Sequence, residues 1–477
     1  MHRASNRRQS AGRGIACATA LGVFLLQFGA AEPASSQTLY EAMATAYQNN
    51  PSLQAQRSRV RAVDEGVPQA LAGWRPTVEL NGDLGRVRNT GNTGVDRDYR
   101  TRWSTGVRVT QNIYEGGRTQ ATIARAEADV LAERAALLTT EQDVLLDVAT
   151  SYVNVLRDRA VLDLNVANER RLERQLEATQ DRFEVGEVTR TDVAQAESRL
   201  SRATGDRIAA ESDLEVSNAF YEQVVGQPPG ELVIPDEETG LPLSREESVT
   251  LASERNPAVL QRYYERRSAE QAIDQEVADL LPSVDLDGEV ERRRNNSVDD
   301  RTVNTASVTA SVTIPIYQAG SATSEVREAK QFFREADDLI RDERRTAVED
   351  ATSAWERLES SRAQIEAFEA EVRATRIALE GVQQEAAVGS RTVLDILDAE
   401  QEFLDAQVSL VRARRDVLVD GYELLSAVGG LTARDLALPL EYYDEQEYYN
   451  DVRNLWWGLG GQVEPSVEEP TTVAPAE

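Results

Sequence analysis

The chain repeats itself, and the repeat constrains everything else about it. Asn50-Pro51 recurs as Asn256-Pro257, and Arg75-Pro76 recurs as Leu281-Pro282, both at an offset of 206 (256 − 50). Ile113-Tyr114 recurs as Ile316-Tyr317, Gly117 as Gly320, and Val185-Gly186 with Asp192 as Val388-Gly389 with Asp395, all at an offset of 203 (316 − 113). Ordered matches of this kind over a long span mark a duplicated structural unit. The offset drops between Pro76 and Ile113, so the second copy is shorter there, as a loop allows.

Inside that region each copy carries two segments of period-2 patterning. Val78, Leu80, Gly82 and Leu84 alternate with Glu79, Asn81 and Asp83. Trp103, Thr105, Val107, Val109 and Ile113 alternate with Ser104, Arg108, Thr110 and Asn112. The second copy has Val284, Leu286, Gly288 and Val290, then Val308, Ala310, Val312, Ile314 and Ile316. Alternation alone suits any half-buried sheet. These strands, however, are predicted at roughly 10–14 residues, longer than the ~5–6 of soluble strands and enough to cross a bilayer at a tilt. Trp74, Tyr114 and Tyr317 sit at one rim and Trp103 nearer the other, in the manner of aromatic girdles. Pro315 would remove a ladder donor near the last strand's end. Four strands cannot close a barrel, and open edges are not tolerated in lipid. Two, three or four chains would share 8, 12 or 16 strands, and an eight-stranded barrel is filled by its own side chains.

The rest reads as helix. From Glu115 to about Arg182 there is no Pro, and no Gly after Gly117; Leu131, Leu138, Leu145 and Tyr152 fall seven apart. At 1.5 Å per residue this predicts roughly 100 Å of helix. Ser321 to about Glu385 is its counterpart, interrupted only by Gly381. Each turns at a Gly-containing tip and returns over about half its length, Thr189–Val225 and Thr392–Val428. Shorter helices before each hairpin supply the missing half, so each repeat reads as one long strut facing two stacked short ones. The predicted organisation is a signal peptide over 1–37 and a first repeat over 38–226, comprising helices 38–73, a β-hairpin 76–114 and a helical hairpin 115–226. A linker over 227–244 follows, then a second repeat over 245–428, comprising helices 245–280, a β-hairpin 283–317 and a helical hairpin 318–428. An acidic tail, disordered at its end, occupies 429–477.

Composition removes most alternatives. The leader is basic at Arg3, Arg7, Arg8 and Arg13, apolar from Ile15 to Phe28, and followed by Gly29-Ala30-Ala31. Its apolar run is shorter than the roughly 20 residues of a spanning helix. The only His and the only Cys, His2 and Cys17, lie within it. A mature chain without imidazole or thiol has no His- or Cys-based nucleophile, no zinc site with N or S ligands and no disulfide. An enzyme that uses Asp and Glu alone stays open on composition, but no motif supports one. The net charge of −30 argues against nucleic acid as a partner.

The order of helix, β-hairpin, long helix, tip and half-helix, twice over, resembles the TolC family of outer-membrane export proteins. The residues that carry the resemblance are Asn50-Pro51, Gln111-Asn112-Ile113-Tyr114-Glu115-Gly116-Gly117, Val185-Gly186 with Thr191-Asp192-Val193, and Val388-Gly389-Ser390-Arg391-Thr392-Val393-Leu394-Asp395-Ile396-Leu397-Asp398. Nearly the whole mature chain is covered. The resemblance implies a homotrimer with a shared 12-stranded barrel in the outer membrane of a Gram-negative bacterium, continued as a periplasmic α-helical tunnel. The partners it implies are a periplasmic adaptor, an inner-membrane transporter and outer-membrane lipid. The function it implies is a passive exit duct for type I protein secretion or small-molecule efflux, without cofactor or metal. It also implies a gate: Asp395 and Asp398 ring the tunnel entrance, while Arg391, Thr191 and Asp192 link neighbouring coils. The tips at Val185, Gly186, Val388 and Gly389 are the implied adaptor-docking sites. Ala386 stands where the family often has an aromatic latch, which leaves fewer links to hold the closed state.

Asp395 and Asp398 share a helix face, and a threefold axis would converge six carboxylates, an arrangement that selects cations. The plainer reading is that Thr392-x-x-Asp395 and Thr189-x-x-Asp192 are helix caps. Independently of the resemblance, Arg86, Arg88, Arg100 and Arg102 flank the first strand–strand loop, and Arg292, Arg293, Arg294 and Arg301 flank the second. Their clustering on an acidic chain suggests contacts with lipopolysaccharide phosphates, against the alternative of solvated loop charge. Two other functions fit the helical part alone: a periplasmic coiled-coil adaptor and a structural coiled coil. Neither accounts for two bilayer-length β-hairpins.

Overall fold

In a computed structural model, residues 37–89, 98–236, 240–295 and 301–460 are described. The predicted leader and the end of the tail lie outside these residues. The recurring Asn-Pro pairs do the same work in each repeat. Asn50 ends α1 (Leu39–Asn49) and caps α2 (Pro51–Asp64), accepting from the Ser52 N–H at 2.9 Å. Proline suits the next position because its missing N–H would have no partner there. The Asn50 Nδ2 then donates to the carbonyl of Val224, 174 residues away, at 3.0 Å. Asn256 repeats the arrangement, capping the helix that starts at Pro257 and donating to the Ala427 carbonyl at 3.1 Å. Each pair therefore starts one helix and ties it to the end of its own repeat's return helix.

α3 (Gly66–Leu71) leads through a short 3₁₀ turn into β1 (Thr77–Asn89) and β2 (Asp98–Glu115). Gly116 and Gly117, both at positive φ, turn the chain into α4 (Arg118–Glu184). A Cβ at Gly116 would lie 2.7 Å from the Ala278 carbonyl, so no other residue fits there. After the tip comes α5 (Arg190–Val225), and the second repeat begins with α6 (Arg245–Arg255) and α7 (Pro257–Ala278). It continues with β3 (Ser283–Arg294), β4 (Thr302–Thr313), α8 (Ser321–Ala387) and α9 (Val393–Ala427), and α10 (Glu447–Val452) follows. Both long helices contain 67 residues, about 100 Å each at helical rise. Two expectations change. α8 runs unbroken through Gly381, since one glycine costs about 1 kcal/mol and the flanking turns outweigh it. β4 stops at Thr313, before Ile314 and Ile316, where Pro315 withdraws its donor.

α4 packs against α5 towards the tip and against α1, α2 and α3 towards the sheet; α8 packs against α9, α6 and α7. α7 also lies along α4 and so joins the two repeats. The seams use small residues at heptad spacing. Ala196, Ala203 and Ala210 of α5 are buried, as are Ala406 and Ala413 of α9. Of the predicted seam on α4, Leu145 and Tyr152 are fully buried, whereas Leu131 and Leu138 are only partly so. The largest core lies at mid-height, where Leu39, Met43, Leu145, Tyr152, Tyr221, Leu431 and Leu438 meet. There the Tyr152 hydroxyl lies 2.7 Å from the Gln37 carbonyl and accepts from the Val233 N–H at 2.9 Å.

The sheet is antiparallel in the order β1-β2-β3-β4, leaving β1 and β4 as open edges. Register fixes its two faces, because residues directly opposite share a side. Val78 opposes Val109, Leu80 opposes Val107, Leu84 opposes Trp103, and Val107 opposes Val290. Leu286 opposes Ala310 and Val284 opposes Val312 on the same side. Val78, Leu80, Leu84, Val290, Val308 and Val312 are all more than 60% exposed in the chain alone. The opposite face is polar: Thr110 donates to Asp287 at 2.8 Å and Ser104 to Asp83 at 3.2 Å, and Arg108 pairs with Glu289 at 3.3 Å. A bulge between Asn112 and Tyr114 returns Tyr114 to the apolar side. Among the described residues no helix is long and apolar enough to cross a membrane.

Candidate functional site

The two helical hairpins pack together near their tips. Leu172 of α4, Ala203 of α5 and Val393 and Leu397 of α9 form one buried cluster, with Leu200 against it. Sequence explains the tips locally. Gly186 and Gly389 have φ of 81° and 79°, a left-handed turn that ends each long helix. Thr189 and Thr392 start the return helices with capping boxes. Val185 and Val388 are 72% and 81% exposed at the turns, and Gly186 and Gly389 are exposed beside them.

The structure divides the expected gate residues. Asp192 and Asp395 act as caps within the chain. Each accepts from the backbone N–H of its threonine at 2.8 Å and from that threonine's hydroxyl. These bonds from Thr189 and Thr392 hold both carboxyls below the usual range. Asp398 is not a cap; it forms an ion pair with Arg199 of α5. Arg391 bonds to Glu385 across its own tip at 2.8 Å, and not to Thr191 or Asp192. Thr191 is exposed on the first turn of α5. Within one chain, therefore, Asp398 joins the two tips, and Arg391, Thr191 and Asp192 stay on their own.

Two residues escaped the sequence reading. Arg199 carries no local signal, because its partner lies 199 positions away. Glu400 is 5% exposed, with Oε2 unpartnered. Burial raises its pKa, against the opposing charges of Arg171 and Arg174. Its spacing does carry a signal: Val393, Leu397, Glu400 and Leu404 follow the 4-3-4 pattern of a coil seam, interrupted by a carboxylate.

At the far end of the molecule the strand ends bring the arginines to one edge of the sheet, but the pleat divides them. Arg86, Arg88, Arg292 and Arg294 fall on the apolar face, opposite or in line with Thr101, Tyr99, Thr105 and Trp103. Arg102 and Arg293 fall on the polar face, where Arg293 pairs with Glu291. Arg100 shares their register, although its side chain lies outside the described residues. The Arg301 carbonyl accepts from the Asn295 N–H at the β3–β4 turn. Arg86 and Arg88 stack on Tyr99, with guanidinium-to-ring distances of 5.1 and 5.2 Å. Under the sheet the carboxylates of Glu276, Asp279 and Glu325 come within 4.8 Å of one another, and Arg118 pairs with Asp279.

A bilayer-length sheet with one apolar face, mounted on long periplasmic helical hairpins, defines an outer-membrane channel. The family model "Outer membrane efflux protein" matches residues 42–227 and 249–430, and the chain belongs to that family. It is similar to the outer membrane efflux protein BepC of Brucella suis, with 34% identity over 90% of this chain and 93% of that protein. It is also similar to the outer membrane protein TolC of Escherichia coli, with 25% identity over 84% of each. The Campylobacter jejuni CmeC outer membrane channel has the same fold, with a TM-score of 0.75, 16% identity, and coverage of 87% of this chain and 89% of that one. The protein is an outer-membrane exit duct, not a periplasmic adaptor or a structural coiled coil.

Proposed function

We propose that three copies share one 12-stranded barrel and that the duct is shut at its helical end. The observation that carries this reading is the four-stranded sheet, apolar on one face and open at both β1 and β4. Lipid does not tolerate such edges, so neighbouring chains must pair them. Three copies give a barrel wide enough to hold an aqueous path. The duct itself needs no cofactor and performs no chemistry. An inner-membrane transporter would supply energy and cargo, and a periplasmic adaptor would engage the exposed turns at Val185-Gly186 and Val388-Gly389. The gate would be built from Asp398 and Asp395 around the threefold axis, with Arg391, Thr191 and Asp192 turned towards neighbouring chains. The intrachain caps allow this second role, because an exposed carboxylate keeps further acceptor positions free.

The test is single-channel recording of the purified protein beside an Asp395→Ala/Asp398→Ala variant. A small, cation-selective conductance that loses selectivity in the variant supports the carboxylate ring. A pore indifferent to both changes reduces Asp395 to a cap and Asp398 to a strut. A native mass other than that of three chains would overturn the trimer.

A further inference from the structure

We propose that the segment Leu455–Leu459 is a lipid anchor, inserted into the periplasmic interface of the outer membrane beside the barrel. The inference rests on the outer-membrane location and adds a second contact between chain and lipid, outside the sheet. The segment that follows α9 climbs back along the molecule. The Tyr443 N–H donates to the Tyr47 hydroxyl near mid-height, and the Tyr448 hydroxyl donates to Glu65 at 2.7 Å. Arg453 reaches Glu127 of α4 at 3.0 Å, and the Leu455 carbonyl accepts from Arg75 at 2.6 Å. Arg75 precedes β1 by two residues, so the climb ends at the base of the sheet.

What the segment presents there is unusual for a surface facing water. Leu455, Trp456, Trp457 and Leu459 are 49%, 69%, 90% and 104% exposed. The Arg75 guanidinium lies 5.0 Å from the Trp456 ring, which fixes one indole at this height. Trp74 is half-exposed beside it, and the Trp74 carbonyl accepts from Gln111, which opposes Leu286 on the apolar face. Tyr114 and Tyr317 are exposed close to the same rim. The first apolar rung, Val78 opposite Val109, begins three residues after Arg75, about 10 Å away at strand rise. That distance falls within the headgroup layer, where an indole can bury its ring and keep its N–H wet. Continuity with the apolar face selects phospholipid as the occupant over a second copy or a partner protein.

The experiment uses the full chain in phosphatidylethanolamine/phosphatidylglycerol vesicles containing lipid brominated either near the headgroup or near the bilayer centre. Wild type is compared with Trp456→Phe/Trp457→Phe. The expected result is that headgroup-level bromine quenches wild-type emission, that this quenching falls by about half in the variant, and that aqueous iodide does not reach the lost component. Equal bromine quenching in both proteins, or quenching of that component by iodide, would overturn the anchor while leaving the barrel intact. A changed subunit number in Trp456→Ser/Trp457→Ser would overturn it in favour of an interface between copies. Failure of the protein to float with the vesicles would sink the membrane location itself.

Discussion

Arg199 of α5 and Asp398 of α9 form the one ion pair among the described residues that ties the two helical tips together. Asp398 is 53% exposed, and such a pair contributes under about 1 kcal/mol to stability. Loss of the pair therefore tests the proposed gate and not the fold. Arg199→Ala frees the carboxylate, and the reversal potential in a salt gradient should move towards greater cation preference. Asp398→Ala should move it the other way, with thermal unfolding unchanged in both.

The caps predict a different phenotype. Thr189→Ala and Thr392→Ala should each destabilise the first turn of a return helix by about 1 kcal/mol. Faster amide exchange confined to 190–196 and 393–399 would register it. The same turns should loosen in acid. Asp192 and Asp395 have lowered native pKa values, so their contribution is present above the unfolded value and is lost as pH falls through the native one. Exchange that is uniform along the helices would contradict this.

Asp64 behaves oppositely. It is fully buried, 3.8 Å from Arg134, with both oxygens lacking a hydrogen bond. Burial raises its pKa from 3.8 to about 6, against the charge of Arg134. Between those values the native state binds the extra proton, so stability falls as pH rises through the window. Asp64→Asn should raise the unfolding midpoint at pH 8 and lose that advantage near pH 4. A midpoint lowered at pH 8 would show that Arg134 needs the charge.

The pleat sorts the outer arginines into a test. Arg86→Gln/Arg88→Gln/Arg292→Gln/Arg294→Gln should weaken binding of purified lipopolysaccharide several-fold. Arg102→Gln/Arg293→Gln, on the polar face, should leave binding unchanged and alter ion conduction instead. Equal losses from both sets would mean that net charge, and not lipid-side geometry, sets the affinity.

Much of the fold was legible because it is periodic. Alternation from Val78 to Leu84 and the Pro-free run after Gly117 each specify a structure locally. Pairing between residues far apart in sequence was not legible. Nothing near Asn50 in sequence announces Val224, and nothing near Asp398 announces Arg199. The division of the arginines depends on register, which a single-residue slip would invert. The carboxylate at Glu400 was readable from its heptad position, yet a charge in a seam looks like ordinary surface until the neighbouring helix is in place. The upward course of the last segment depends on Tyr47, Glu65 and Arg75, side chains read as parts of another unit.

The open edges of β1 and β4 also dictate an order of events in biogenesis. A lone chain that entered lipid would strand two rows of backbone donors and acceptors in hydrocarbon. Chains must therefore meet before or while they insert, and the newly exported protein must first persist as a water-borne species with its valine-rich face uncovered. The appearance of inserted channel should rise with more than the first power of chain concentration, so that supply of the protein, as much as its sequence, decides how many ducts a cell possesses.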